Sequence, residues 1–264
     1  MPDMDHDDNP ILIQSHRRRG LSSASARAPL VLFHDGAGTL FNYFLLRPLG
    51  TDVFGLADPR ATAQRPWDGG IEEMARYYLE CMKTAVKPGP VILGGWSFGG
   101  LLALQVAHLI SYDQGGEFTV AGIILIDTTC PLALSYAEPH NEEHHIPFKD
   151  DVPEHMRQVA QTSMDRAIKM LSQWAPPTWS GSCSTHPPAL LLHARESIVS
   201  WKKRSPKLDW ELYPHEFIHW VISIPGNHFN LFDGGNVNCL SEKLRAGCET
   251  FEALLRNETQ SLPT

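Results

Sequence analysis

The sequence predicts an α/β fold in which a mostly parallel sheet carries helices on both faces. Three observations predict it. Short, continuously apolar runs at residues 29–33, 90–93 and 120–126 read as strands covered on both sides. Between them lie segments whose apolar residues recur at helical spacing. A Gly-x-Ser-x-Gly pattern, Gly95-Trp96-Ser97-Phe98-Gly99, joins one such strand directly to a helix-like run, the context of a nucleophile elbow.

Residues 1–28 read as a polar, loose leader with one possible short strand at Ile11-Leu12-Ile13. The apolar run 29–33 is a buried strand that ends in His34-Asp35-Gly36-Ala37-Gly38-Thr39. Residues 40–46 are expected to form a helix, which would set the backbone N–H groups of this loop at a helix N-terminus. Residues 51–56 form the next strand. Ile71, Met74, Ala75, Tyr78, Leu79, Met82 and Ala85 then mark one face of a helix that Lys87-Pro88-Gly89 ends. After the elbow strand and its helix comes the strand 120–126, closed by Asp127. Alternation of this kind calls for a parallel sheet with right-handed crossovers.

The stretch from about 131 to 188 is too long for a plain connection, so it is expected to carry helices, with a periodic run over 152–174, and to act as a lid. Strands resume at 189–193 and 220–224, and Leu240, Leu244, Cys248, Phe251 and Leu255 space a closing helix. The expected organisation is therefore one domain, residues 29–264, behind a leader.

Composition narrows the function. A formal net charge of −8 disfavours a nucleic-acid or anionic-membrane partner. The five cysteines are scattered with no C-x-x-C pairing, which fits reduced usage and argues against a disulfide framework or zinc site. The acidic N-terminus lacks an apolar signal core and no apolar run is long enough to span a bilayer, so a cytoplasmic location is expected. His140, His144, His145 and His155 cluster in sequence but show no H-E-x-x-H pattern, so no metal is assigned. No cofactor is implied.

A serine hydroxyl needs a base to attack a carbonyl, and the base needs an orienting acid. Ser97, Asp127 and His228 occur in the α/β-hydrolase order of nucleophile, acid and base. His228 follows an apolar strand and the turn Pro225-Gly226-Asn227, an address from which an imidazole can reach the elbow. Glu196, after the strand 189–193, is the alternative acid. The expected oxyanion donors are the N–H of Phe98 and one from Gly36 or Ala37.

Taken together, residues 32–39, Gly95 to Gly100, Ile124 to Asp127 and Gly226 to Phe229 resemble the thioesterase domains that release chains from polyketide and nonribosomal peptide synthases, above all the fungal kind. The resemblance spans about residues 30–255. It implies transfer of an acyl chain from a carrier protein's phosphopantetheine thioester to Ser97, then to water or an internal nucleophile, in secondary metabolism. It also implies Asp127 as the acid. Neither a carrier nor a condensation domain accompanies the chain, so the partner is expected to act in trans. Lys202, Lys203, Arg204 and Lys207 form the candidate basic patch for docking an acidic carrier. Two other readings use the same residues: an esterase or acyltransferase with this triad, and a silent hydrolase-fold binding protein.

Overall fold

The computed structural model describes residues 9–16, 27–63, 65–113, 116–134, 152–180, 186–197 and 205–260. Among the described residues seven strands form one sheet: β1 (Ile11–Gln14), β2 (Leu30–Phe33), β3 (Val53–Leu56), β4 (Gly89–Trp96), β5 (Phe118–Ile126), β6 (Ala189–Ala194) and β7 (Ile218–Ile224). Their order is β1-β3-β2-β4-β5-β6-β7. Every neighbouring pair is parallel except β1 with β3. Part of the expected loose leader thus belongs to the sheet: Leu12 pairs with Phe54, and Gln14 holds the turn after residue 45 through bonds to Leu46 O and Leu49 N.

Side chains alternate across the sheet, and two cores follow from that. Val31, Phe33, Val91 and Leu93 face α1 (Gly70–Ala85) and α2 (Phe98–Tyr112). Leu30, Leu32, Ile92 and Ile124 face the opposite way, onto α5 (Asn236–Gln260). A buried helix is apolar all round, and α2 buries eleven of its fifteen residues. Among the described residues two helices fall between β5 and β6: the short α3 (Pro131–Leu134) and the twenty-residue α4 (Glu154–Gln173). Among the described residues no helix is long and apolar enough to cross a membrane.

Residues 40–46 do not form the expected α-helix. A five-residue 3₁₀ turn, Phe41–Leu45, stands there, and the chain is already extended at Leu46. Pro48 disfavours helical backbone at Arg47, and the Tyr43 hydroxyl is drawn inward to the sheet.

Strand order and register place the site. The chain runs from β2 outward to β3, then returns across β2 to β4, so the sheet changes direction between β2 and β4. Ligands of open α/β sheets bind at such a point, beyond the carboxyl ends of the strands. Phe33 is level with Gly95, Trp96 with Ile126, and Ile126 with Leu192. The residues that follow β2, β4 and β5 therefore emerge along one rim.

Candidate active site

Ser97 sits between β4 and α2 with φ of 56° and ψ of −118°, a backbone conformation that an L-residue adopts only under constraint. The constraint is visible on both sides. Its N–H donates to Ile126 O at 2.9 Å, and its carbonyl accepts from Gly100 N at 3.1 Å and from the Thr128 hydroxyl at 3.0 Å. A Cβ on Gly99 would overlap the Phe33 carbonyl, and one on Gly95 would overlap the Gly99 backbone, so the sharp turn requires both glycines.

Tyr43 braces the elbow from the other side of β2. Its buried hydroxyl donates to Phe33 O at 2.7 Å and accepts Trp96 N–H at 2.8 Å. One phenol therefore ties the end of β2 to the residue before the serine. Burial pushes its pKa far above the ordinary tyrosine value, so the hydroxyl stays protonated.

Asp127 emerges from β5 at φ 45° and is buried. Its Oδ2 lies 2.7 Å from His228 Nδ1, while Oδ1 accepts Ala194 N–H at 2.8 Å. A carboxylate accepts, so Nδ1 carries the proton and the neutral ring's Nε2 keeps its lone pair. The His228 ring packs 5.2 Å from that of Trp96, the neighbour of Ser97. Glu196, the alternative acid, is exposed, and its side chain has no bonded partner among the described residues. Asp127, not Glu196, is thus the carboxylate that His228 meets.

The loop after β2 is organised by Asp35, whose Oδ1 accepts the N–H groups of Ala37 at 2.9 Å and Thr39 at 3.4 Å. The Ala37 amide is therefore already occupied. Of the two loop amides expected to meet an oxyanion, only that of Gly36 is without a partner among the described residues, alongside Phe98 at the first position of α2. The positive end of α2 adds to the field at Phe98. Burial raises the Asp35 carboxyl above the ordinary carboxylate value, against the opposing pull of His34, the Thr39 and Ala37 amides, and His228.

Helix α4 covers this loop. A Cβ on Gly36 would come within 2.6 Å of Met164 Sδ, so the methionine rests directly on the glycine. Arg166 fastens the helix to the segment after β3 through Arg65 O at 2.9 Å and Ala61 O at 3.3 Å. At the far end Trp174 Nε1 donates to the buried Gln105 side chain of α2 at 2.9 Å. A cavity of about 250 Å³ remains beneath α4, walled by His34, Gly36, Trp67, Met74, Phe98 and Met170 among others.

The remaining expectations lie elsewhere. Lys202, Lys203 and Arg204 fall outside the described residues, as do His140, His144 and His145. Lys207 is exposed on the segment before β7, and His155 stands in the first turn of α4. Tyr43, Asp35, Thr128 and Arg166 escaped the sequence reading, because each acts through contacts distant in sequence that no local pattern signals.

The sheet, the elbow and the Asp127–His228 pair define the chain's class as an α/β hydrolase. Within that class it belongs to the thioesterase family, whose thioesterase-domain model matches residues 28–175. It is 52% identical to thioesterase AMT4 of Alternaria alternata over 96% of this chain and 97% of that protein. It is 32% identical to the probable thioesterase gloN of Glarea lozoyensis over 92% of this chain and 98% of that one. Among solved structures, the NocB thioesterase domain from the nocardicin cluster has the same fold, with a TM-score of 0.60 and 24% identity, covering 84% of this chain and 95% of that one. A four-domain nonribosomal peptide synthetase also contains this fold, with a TM-score of 0.60 and 20% identity over 89% of this chain and 20% of that one.

Proposed function

We propose that this thioesterase uses Ser97, His228 and Asp127 to release an acyl or peptidyl chain from the phosphopantetheine thioester of a carrier protein acting in trans, in secondary-metabolite biosynthesis. His228 Nε2 takes the Ser97 proton as the hydroxyl oxygen attacks the thioester carbonyl. Asp127 holds Nδ1–H and stabilises the imidazolium that forms. The tetrahedral oxyanion is met by the amides of Phe98 and Gly36. Collapse expels the thiolate, which takes the proton from His228, and leaves an acyl ester on Ser97. Water or a nucleophile within the chain then attacks that ester by the same proton route in reverse.

The observation that carries this reading is the 2.7 Å Asp127–His228 contact, with its imidazole packed against Trp96 of a strained serine elbow. An esterase or acyltransferase would use the same groups, and family membership favours the thioester. The deciding experiment is intact mass spectrometry of the protein after exposure to acyl-loaded carrier protein. An acyl adduct located on Ser97, absent in Ser97→Ala, is the expected result. Folded protein that takes neither the acyl group nor a fluorophosphonate label would instead mark a silent binding module.

A further inference from the structure

His34 is the first residue after β2 and is only 2% exposed. It forms part of the wall of the 250 Å³ cavity together with Gly36 and Phe98, the two residues whose amides face the proposed oxyanion. Its Nδ1 lies 2.6 Å from Asp35 O. A carbonyl oxygen only accepts, so Nδ1 bears a proton, and in the neutral imidazole Nε2 is then an acceptor. That nitrogen is buried and has no hydrogen-bond partner among the described residues. A buried polar atom left unpaired costs free energy, and at a functional site it is most simply kept for a ligand.

We infer that His34 Nε2 accepts a hydrogen bond from a hydroxyl carried by the acyl chain near its thioester end, so that the enzyme selects hydroxylated acyl groups. The inference rests on the thioesterase reading above. The partner must be a donor, which excludes a keto oxygen or an ether. An ammonium would have to leave water for a cavity that Arg166 and Lys169 also line. An amide N–H brings a carbonyl that needs a donor of its own. A hydroxyl is the small neutral donor that remains. The space around the ring can adapt to it, since Met74 and Met170 line the cavity and thioether chains change rotamer at little cost. His34 is thus a specificity-determining residue, with no part in the proton transfers.

The test compares octanoyl, 2-hydroxyoctanoyl, 3-hydroxyoctanoyl and 4-hydroxyoctanoyl thioesters of N-acetylcysteamine on the wild-type enzyme and on His34→Phe. Phenylalanine keeps the ring contacts to Tyr78 and Phe98 and removes the acceptor, while Asp35 O retains the Gly38 N–H. The wild type is expected to favour one hydroxyacyl chain over octanoyl by about tenfold or more in kcat/KM. His34→Phe should bring that ratio close to one, whatever the absolute rate on octanoyl becomes. A wild-type ratio near one at all three positions overturns the inference, as does a preference that survives in His34→Phe. If the phenylalanine variant fails to fold by circular dichroism, His34→Leu carries the same comparison. Fluorophosphonate labelling of Ser97 separates the two levels of failure: labelled enzyme with a flat ratio defeats only the hydroxyl preference, whereas no label and no turnover of any thioester defeats the thioesterase reading itself.

Discussion

The Asp127 carboxylate joins a loop to a strand end, with His228 Nδ1 2.7 Å from Oδ2 and the N–H of Ala194, the last residue of β6, 2.8 Å from Oδ1. The second bond fixes the carboxylate plane, so the first fixes the imidazole. Asp127→Asn should lower kcat for thioester hydrolysis by about 10⁴-fold, because an amide nitrogen facing Nδ1 imposes the wrong tautomer. Asparagine tolerates the positive φ at this position, so the melting temperature should stay within a few degrees of wild type. Steady-state kinetics beside a thermal melt checks both parts. Damage of this size from Glu196→Gln, with Asp127→Asn harmless, would reverse the assignment.

A second prediction concerns the brace between β2 and β4. Tyr43→Phe deletes a hydroxyl that serves Phe33 O and Trp96 N–H at once, and leaves the Trp96 amide buried without an acceptor. Leaving such a donor unpaired costs about 1–3 kcal/mol. The denaturation midpoint should fall by a corresponding amount. Because Trp96 directly precedes Ser97, kcat should fall as well, while the rim residues Asp127 and His228 stay in place. Unchanged kinetics in a destabilised variant would make the brace purely structural.

How far the sequence could be read follows from which interactions are local. The strands at 29–33 and 120–126 and the helices through Met74 and Leu244 announce themselves by period, since burial on one or both faces writes itself into neighbouring residues. The positions of Ser97 and Asp127 directly after β4 and β5 could be read because apolar runs and turn residues mark those strand ends. That His228 lies against Asp127 agrees with its order and address in the chain. What stayed hidden depends on tertiary contact. Nothing near Tyr43 signals that its hydroxyl will hold Trp96, and that inward pull, together with Pro48, replaces the expected helix by a 3₁₀ turn. Likewise the Ala37 amide looks available until Asp35 is seen to fold back upon it. Strand β1 was legible only as a short apolar triplet, since an edge strand of four residues leaves little pattern.

Asp35 gives a prediction in pH. Burial raises its carboxyl pKa in the folded state, so the native protein binds that proton more tightly than the unfolded chain. Its contribution to stability is therefore greatest below the ordinary carboxylate value and is lost as pH rises through the folded value. Asp35→Asn removes this loss while keeping an Oδ1 acceptor for the Ala37 and Thr39 amides. The melting temperature of the variant, relative to wild type, should rise from about pH 4 to about pH 7. A difference that does not change with pH, or one that falls, would show that the carboxyl is not held protonated by its surroundings.

The last prediction concerns α4, which Arg166 pins to the Ala61 and Arg65 carbonyls on one side while Met164 lies on Gly36. Bonds from a guanidinium to carbonyls contribute about 1.5–3 kcal/mol each when buried, and less here because the side chain is partly exposed. Arg166→Met keeps an apolar stem over the cavity and removes those bonds, so opening of the helix should become about tenfold more frequent, read as faster amide hydrogen exchange confined to 154–173. Two activities should then move in opposite directions. A small fluorophosphonate needs only access to Ser97, so its labelling rate should rise. In the proposed mechanism thioester hydrolysis needs the cavity wall to hold the acyl chain over the Gly36 and Phe98 amides, so kcat/KM should fall. If both rates fell together with no change in exchange over α4, Arg166 would be acting on the site by a route other than the seating of this helix.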